Sequence, residues 1–342
     1  MVSRSALLFS SVVSLGPVAV TQLPPTLAER YDLENPSARL SLPHHLDEVS
    51  GLAVTDDGRV FAHGDEHAAI YELDPAEGKI LKRFSLGVPV LPGDFEGIAV
   101  ADERFFLISS QGLLLEFREG ADEESVPFRG VDTGLMSRCE VEGLAFEPAA
   151  QTLLAACKTV PSRDRGFIVL YRIRLSNFSV EAEAIRVPLV DLEAVGLAPR
   201  FSPSGVEADP DTGMLILTSA REEAILEITS SGEVVAGFRF GSRRHPQVEG
   251  IGFLPDGTLL LSDERQSNRA HITAYSRRLA PPRNALGLRL SYQAPFPMPP
   301  SVEHSYCQRE QACGAQSHLT ILFQAGGLRV RSCQFRGQEG AQ

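Results

Sequence analysis

Residues 51–66 read GLAVTDDGRVFAHGDE, and this sixteen-residue pattern recurs four more times without a gap. The later copies are GIAVADERFFLISSQG (97–112), GLAFEPAAQTLLAACK (143–158), GVEADPDTGMLILTSA (205–220) and GIGFLPDGTLLLSDER (250–265). Their leading glycines are 46, 46, 62 and 45 residues apart. A repeat period of this size is typical of a stacked or radial repeat architecture.

Each copy predicts two short antiparallel strands joined by a tight turn. The turn is clearest at Asp57-Gly58 and at Pro255-Asp256-Gly257, where Gly and Asp suit the dihedral angles required. A third strand, and in most repeats a fourth, follows each copy, as at 69–73 and 80–86. Four strands in about 45 residues match one propeller blade, whereas helical repeats would show amphipathic helical periodicity.

Five glycine-led copies therefore predict an all-β propeller with five blades in residues 30–294. The segment 38–42 precedes the first copy, and we expect it to supply the outer strand of the last blade and so close the ring. A degenerate sixth blade in the 62-residue interval is the alternative. The extra length of that interval, however, lies largely in 159–165 and 190–201.

Both ends of the chain differ from the repeats. Residues 1–25 hold a short apolar run behind Arg4, which is typical of a signal peptide, with an uncleaved anchor as the alternative. We therefore expect a periplasmic or secreted protein, and a cytoplasmic one if the start is mis-assigned. Residues 295–342 form a tail behind a proline-rich linker, in which Gly326-Gly327 between two apolar stretches predicts a hairpin.

The five cysteines do not decide the compartment. Cys139 and Cys157 would lie near one another if the third repeat is a hairpin, so a disulfide between them is sterically reasonable. Cys307, Cys313 and Cys333 fall in the tail, and the odd number leaves at least one thiol unpaired within a monomer.

Composition excludes some functions. With 32 basic and 44 acidic residues the net charge is −12, which argues against a nucleic-acid partner and favours cations, cationic partners or small molecules. The sequence contains no P-loop, no G-x-G-x-x-G fingerprint and no G-x-S-x-G nucleophile motif. No enzyme class is therefore indicated by a motif.

A ring of acidic residues is the main candidate site. Equivalent positions of the innermost strands surround the channel of a propeller, and the residues before the five leading glycines are Ser50, Glu96, Glu142, Ser204 and Glu249. Converging carboxylates raise one another's pKa unless a cation binds, and an oxygen-only set suits Ca²⁺ better than magnesium or manganese. The alternative is that these glutamates only cap backbone amides at the strand ends.

The second strand of each repeat returns to the same mouth. It brings further candidates for ligand contacts: Asp65, Lys158, Asp263 and Glu264. Two residues after each glycine, four of the five side chains are Ala or Gly, as expected where blades approach closely near the axis. Glu207 is the one large, charged residue at that position. Lys158 is likewise the one basic residue among the acidic candidates at the mouth. These two irregular residues are better functional candidates than any single repeated glutamate.

The motifs EVSGL (48–52), DFEGI (94–98), VEGL (141–144), PSGVE (203–207) and VEGI (248–251) resemble those of the SdiA-regulated (YjiK-like) propeller family. The resemblance covers about residues 30–292, and the E-G-[IL] element alone is also similar to phytase-like esterase propellers. It implies a bacterial envelope propeller that holds a calcium ion, with Glu96, Glu142, Glu207 and Glu249 as candidate ligands. Serines at 50 and 204 make such a site asymmetric.

We therefore expect an exported, calcium-binding propeller that binds a small molecule or a protein partner at an acidic channel mouth. One alternative is a Ca²⁺-dependent phosphoesterase or lactonase-type hydrolase, in which the ion polarises the substrate oxygen and a carboxylate acts as base. Another is a structural interaction scaffold that uses the tail. Contact with a membrane is expected only through an N-terminal anchor.

Overall fold

A computed structural model describes residues 24–241 and 243–278, together with the backbone of four short strands between 306 and 330. The chain divides into two compact units at Pro281–Pro282. The described part of the first unit contains four antiparallel four-stranded sheets and one five-stranded sheet, arranged as the five blades of a propeller. The predicted all-β, five-bladed propeller is confirmed. No helix in the described residues is long and apolar enough to cross a bilayer.

Within each blade the strands follow one another along the chain in their order in the sheet, apart from the outer strand of blade 5. A short helix, α1 (Leu27–Arg30), and strand β1 (Ala38–Ser41) precede the blades. From the axis outward, blade 1 consists of β2 (Val49–Val54), β3 (Val60–Gly64), β4 (Ala69–Leu73) and β5 (Ile80–Leu86). Blade 2 begins with β6 (Phe95–Ala101), β7 (Arg104–Ser109) and β8 (Leu113–Phe117). The next strand, β9 (Ser125–Val126), pairs in parallel with β5 of blade 1, and β10 (Phe128–Asp132) completes blade 2.

The remaining blades follow the same order. Blade 3 consists of β11 (Glu140–Glu147), β12 (Thr152–Thr159), β13 (Phe167–Arg174) and β14 (Ile185–Pro188). Blade 4 consists of β15 (Gly205–Ala208), β16 (Leu215–Ser219), β17 (Ala224–Ile228) and β18 (Val234–Arg239). Blade 5 contributes β19 (Val248–Phe253), β20 (Leu259–Asp263) and β21 (His271–Tyr275).

The outer strand of blade 5 comes from the N-terminus. β1 pairs antiparallel with β21, and Ala38 lies opposite Ala274 in the register. This confirms the predicted closure of the ring by the segment 38–42. The apolar pattern of residues 286–292 also predicts a strand, and that segment lies outside the described residues.

Helix α1 is fixed to blade 4 by a buried ion triad. Arg30 Nη2 donates to Glu227 Oε1 at 2.8 Å, and its Nη1 forms an ion pair with Asp209. The amide of Leu27 donates to the other Glu227 oxygen at 2.6 Å. All three charged side chains are at most 4% exposed, so each charge depends on its partners rather than on water. Because β1 belongs to blade 5, the N-terminal segment joins blades 4 and 5.

The leading glycines mark the closest approach of neighbouring innermost strands. A Cβ atom on Gly97 would lie 2.4 Å from the amide nitrogen of Leu144 in the next blade. A Cβ atom on Gly205 would lie 2.0 Å from the carbonyl oxygen of Glu249. Backbone atoms cannot move aside as a flexible side chain can, so these positions require glycine.

Apolar clusters between adjacent blades form the core. Within the described residues there are five such clusters, one for each of the five interfaces around the ring. Between blades 1 and 2, Phe61 packs edge-to-face on Phe105 with ring centroids 4.9 Å apart. Since every blade shares one cluster with each neighbour, the blades stabilise each other around the ring.

Blade 3 also contains a disulfide, which joins Cys139 to Cys157 on β12. In the second unit, β22 (Tyr306–Cys307) pairs with β23 (His318–Leu319), and β24 (Ile321–Gln324) pairs with β25 (Gly327–Val330).

Candidate functional site

The five innermost strands, β2, β6, β11, β15 and β19, surround a central channel and run in the same direction. Their leading glycines contact equivalent positions of the next strand, as Gly51 does with Ile98 and Gly97 with Leu144. The strands therefore begin at one end of the channel, which we call the upper mouth, and end at the other, the lower mouth.

Two buried or half-buried glutamates at the upper mouth each accept one side-chain hydrogen bond. Ser50 Oγ of blade 1 donates to Glu96 Oε2 of blade 2 at 3.0 Å. Gln247 Nε2 donates to Glu249 Oε1 of the same blade at 2.8 Å. Burial, together with repulsion from the nearby Glu142, raises the pKa of Glu96 to about 8 and that of Glu249 well above its usual range.

Lys158 lies among these carboxylates and forms an ion pair with Glu142. Burial raises the pKa of Glu142, and the hydrogen bond from Lys158 opposes that effect. The positive charge of Lys158 also partly offsets the rise in the pKa of Glu96 and of Glu249. The structure thus brings the predicted Glu96, Glu142, Glu249 and Lys158 to one electrostatically coupled cluster.

The upper mouth also holds a second group of acids. Burial raises the pKa of Asp65 and of Glu264, and repulsion from Asp65 raises that of Glu264 further. Repulsion from Asp65 is also the main cause of the raised pKa of Glu48. The Oδ1 atom of Asp65 is buried and has no hydrogen-bond partner among the described residues. Asp65, Glu264 and Glu48 therefore form one group of mutually repelling carboxyls at the upper mouth.

Asp263 lies elsewhere, fully buried behind the mouth. Its Oδ2 lies 2.6 Å from His245 Nδ1 and 3.2 Å from His271 Nε2, while His245 Nε2 lies 2.7 Å from the hydroxyl of Tyr275. Burial would raise the pKa of Asp263, but the hydrogen bonds from the two histidines lower it overall. Asp263 is thus held by partners of its own, and it has the geometry of a structural residue. His245 carries no sequence signal, because it lies in the irregular loop before β19.

Glu207 lies at the lower mouth, three positions further along its strand than the ring of residues that contains Ser204. At about 3.3 Å per residue the separation is on the order of 10 Å. One carboxylate oxygen accepts the amide of Ala208 at 2.8 Å, and burial raises the pKa of Glu207 to about 8. The structure therefore does not bring Glu207 together with the three glutamates of the upper mouth.

A cavity of about 270 Å³ surrounds Glu207 on the channel axis and is lined by residues from the ends of all five innermost strands. Ala53 and Ala99 lie in its wall. The blades do approach closely at Gly252, where a Cβ atom would lie 2.8 Å from Val54 Cγ2 of blade 1. Ala53 and Ala99 leave the axial space open.

A larger cavity of about 610 Å³ opens at the upper mouth between blades 3 and 4. Its wall contains Lys158, Arg165, Arg221, Phe201 and Glu249. Part of that wall comes from the segments 159–165 and 189–203, which belong to the long interval between the third and fourth copies. The extra length of that interval builds a cavity wall and not a sixth blade.

The fit of a metal ion to the upper mouth depends on the spacing of its donors. The donors are all oxygen atoms, which suits Ca²⁺. Within residues 24–241 and 243–278, however, no three His, Cys, Asp or Glu side chains are grouped closely enough to hold an ion. In this arrangement a Ca²⁺ ion would be held by at most two side-chain carboxylates, and water or a ligand would supply the remaining oxygens.

Solved structures with the same fold include a glutaminyl cyclase from Myxococcus xanthus, with a TM-score of 0.51 and 14% sequence identity over 72% of this chain and 97% of that one. The PQQ-bound aldose sugar dehydrogenase from Streptomyces coelicolor has a TM-score of 0.47, also with 14% identity, over 71% of this chain and 98% of that one. A streptogramin B lyase has a TM-score of 0.43 and 14% identity, covering 70% of this chain and 97% of that one. At these identities the likeness concerns the propeller fold alone. No family model and no curated protein matches the chain in sequence.

Proposed function

We propose that the protein binds a small molecule at its upper mouth, with a carboxylate or phosphate group of that molecule in the cavity between blades 3 and 4. The cavity carries the proposal, since it places three basic side chains beside the carboxylate of Glu249. Its volume of about 610 Å³ lies within the range of small-molecule pockets.

Two of the three basic side chains of this cavity, Arg165 and Arg221, are available to a ligand, whereas Lys158 is paired with Glu142. Arg165 is exposed and makes no hydrogen bond or ion pair with any described residue. Arg221 is 82% exposed, and among the described residues its charged partner is Glu222 at 4.0 Å. Guanidinium groups bind carboxylate and phosphate through paired hydrogen bonds, and Phe201 offers an apolar surface to the rest of the molecule.

The proposed cation at this mouth is Ca²⁺. Glu142 is its central ligand, because its charge acts on both Glu96 and Glu249, and the ion would replace the ammonium group of Lys158 beside Glu142. When bound, Ca²⁺ would neutralise the carboxylates and could also contact the anionic group of the small molecule. The raised pKa values of Glu96 and Glu249 support this proposal, because both carboxyls would ionise more readily beside a cation.

Titration calorimetry at pH 7.5 tests both parts of the proposal. We expect CaCl2 to release heat with the wild type and much less with Glu142→Gln. Inorganic phosphate or succinate should then bind at least tenfold more weakly to Arg165→Ala than to the wild type. Arg118→Ala, in an exposed pair on blade 2, is the matched control and should bind like the wild type. Equal anion binding by Arg165→Ala would contradict the cavity assignment, and absence of calcium binding would contradict the ion.

A hydrolase of phosphoesters or lactones is the second candidate. Glu96 favours it, because a carboxyl with a pKa of about 8 holds its proton at neutral pH and can donate it to a leaving group. If the wild type hydrolyses p-nitrophenyl phosphate or a γ-lactone, Glu96→Gln should lower kcat by about 100-fold or more while the protein remains folded. Absence of turnover by the wild type would contradict the hydrolase function and leave ligand binding as the only proposed function.

Membership of the SdiA-regulated family and export to the periplasm or the medium are further proposals. The motifs around the leading glycines support the first, and the Cys139–Cys157 disulfide supports the second, since disulfides persist mainly in oxidising compartments. Fractionation of cells that express the full chain tests export, and recovery of the protein only in the cytoplasm would contradict it.

A further inference from the structure

We propose a second binding site in the lower mouth of the channel, which takes a small amine with an apolar body. This site is independent of the proposed function, because it lies at the other end of the innermost strands and shares no lining residue with the cavity between blades 3 and 4.

The shape of the site comes from one irregular repeat. Four blades place Ala or Gly two positions after the leading glycine, and blade 4 places Glu207 there. The small residues leave a cavity of about 270 Å³, and Glu207 lies in its wall. The remaining wall is largely apolar and includes Ala99, Phe146 and Phe253. Such a wall buries an alkyl or aryl group, and a single polar group fixes the orientation of the ligand.

The charge of the cavity favours a cationic ligand. Its described lining contains three acidic side chains, Glu207, Asp56 and Asp211, and no Lys, Arg or His. Asp211 is paired with Arg277, which lies outside the lining. One oxygen of Glu207 accepts the Ala208 amide, and the other accepts no hydrogen bond from any described residue. That second oxygen can accept the N–H of an ammonium group.

An amine fits this arrangement better than a metal ion. A divalent cation needs six or more oxygen donors, or several nitrogen and sulfur ligands, and the apolar wall supplies neither. An ammonium group on an apolar body needs one carboxylate and an apolar surface, and the cavity has both. Benzylamine is of suitable size and serves as the probe.

The experiment compares benzylamine with benzyl alcohol, its neutral counterpart, by ligand-observed NMR and calorimetry on the full chain at about pH 8.5, where the Glu207 carboxyl is largely ionised and the amine is still protonated. We expect the wild type to prefer benzylamine, Glu207→Gln to bind it at least tenfold more weakly, and benzyl alcohol to bind equally to both proteins. The control Glu103→Gln removes a carboxylate that is 86% exposed on blade 2, and it should bind benzylamine like the wild type.

A second variant tests the cavity itself. Ala99→Leu should fill the axial space and abolish benzylamine binding, provided that its circular dichroism spectrum and melting temperature match the wild type. If that variant fails to fold, Ala53→Val is the smaller replacement in the same wall. Benzylamine binding that survives both Glu207→Gln and the cavity-filling variant lies elsewhere on the protein and overturns the proposal. Failure of the wild type to bind benzylamine also overturns it.

Discussion

Replacing Glu207 with Gln should change how the stability of the protein depends on pH. Burial raises the pKa of Glu207 from 4.5 to about 8, so the folded state keeps its proton where the unfolded chain has already lost it. The unfolded state then binds fewer protons, and the free energy of unfolding falls as the pH rises from about 4.5 to 8. Glutamine has nearly the same shape and no charge, so the variant lacks this loss.

The size of the effect follows from the shift in pKa. One pKa unit corresponds to about 1.4 kcal/mol, which gives an upper limit of roughly 3 kcal/mol at pH 7. Because the carboxyl is only half-buried, solvent reduces this limit, and we expect about 2 kcal/mol. The gain in stability of Glu207→Gln over the wild type should grow from less than about 1 kcal/mol at pH 5 to about 2–3 kcal/mol at pH 8.

Urea unfolding at pH 5, 6, 7 and 8 measures the difference directly. The acids of the upper mouth are present in both proteins, so their pH dependence cancels when the two curves are subtracted. Glu103→Gln, on the exposed surface of blade 2, should give a curve parallel to that of the wild type. Parallel curves for Glu207→Gln and the wild type would refute the argument, because they would mean that Glu207 is ionised in the folded protein.

Three further changes test the construction of the ring. Arg30→Met should lower the free energy of unfolding by about 3–5 kcal/mol, because it leaves two buried carboxylates unpaired. The control Arg277→Ala removes an exposed ion pair and should lower the free energy of unfolding by less than about 1 kcal/mol. Equal urea midpoints for the two variants would contradict this prediction. Gly205→Ala should lower the free energy of unfolding by more than about 2 kcal/mol, because the new Cβ atom would lie 2.0 Å from a carbonyl oxygen of the next blade. In the control Gly166→Ala the new Cβ atom meets open space. Similar melting temperatures for the two variants would show that the blades can separate. Reduction of the disulfide, whose cysteines are 18 residues apart, should cost about 3 kcal/mol, and an unchanged urea midpoint under reducing conditions would count against this.

Much of the fold could be predicted from the sequence because the ring needs glycine at fixed points. Each leading glycine faces the next blade, and each is followed by the strands of its own blade in order. The outer strand of blade 2, Phe128–Asp132, was not predicted. Its side chains are mostly exposed and it contains Arg, Gly and Asp, so it lacks the apolar pattern by which the other strands are recognised.

The sequence predicts which side chains face the channel axis better than it predicts how far along the axis each of them lies. Glu207 was grouped with glutamates that lie about three residues away along the strand, and this distance separates the two mouths of the channel. Asp263 and Glu264 are adjacent, and successive side chains of a strand point to opposite faces, so both could not face the mouth. The partners of Arg30, 179 and 197 residues away along the chain, leave no sequence signal at all.

The differences between the repeats at the upper mouth are what electrostatics requires of such a ring. Burial and like charges already raise the pKa of Glu96 to about 8, and a fourth carboxylate in place of Ser50 would add another like charge beside it. Ser50 instead donates a hydrogen bond to Glu96, while the equivalent Ser204 donates to the carbonyl of Val248 at 2.6 Å. A ring of five ionised glutamates would depend on a bound cation in order to fold. Three glutamates, two serines and Lys158 can form the mouth without one, and they still leave carboxylates that a cation can bind.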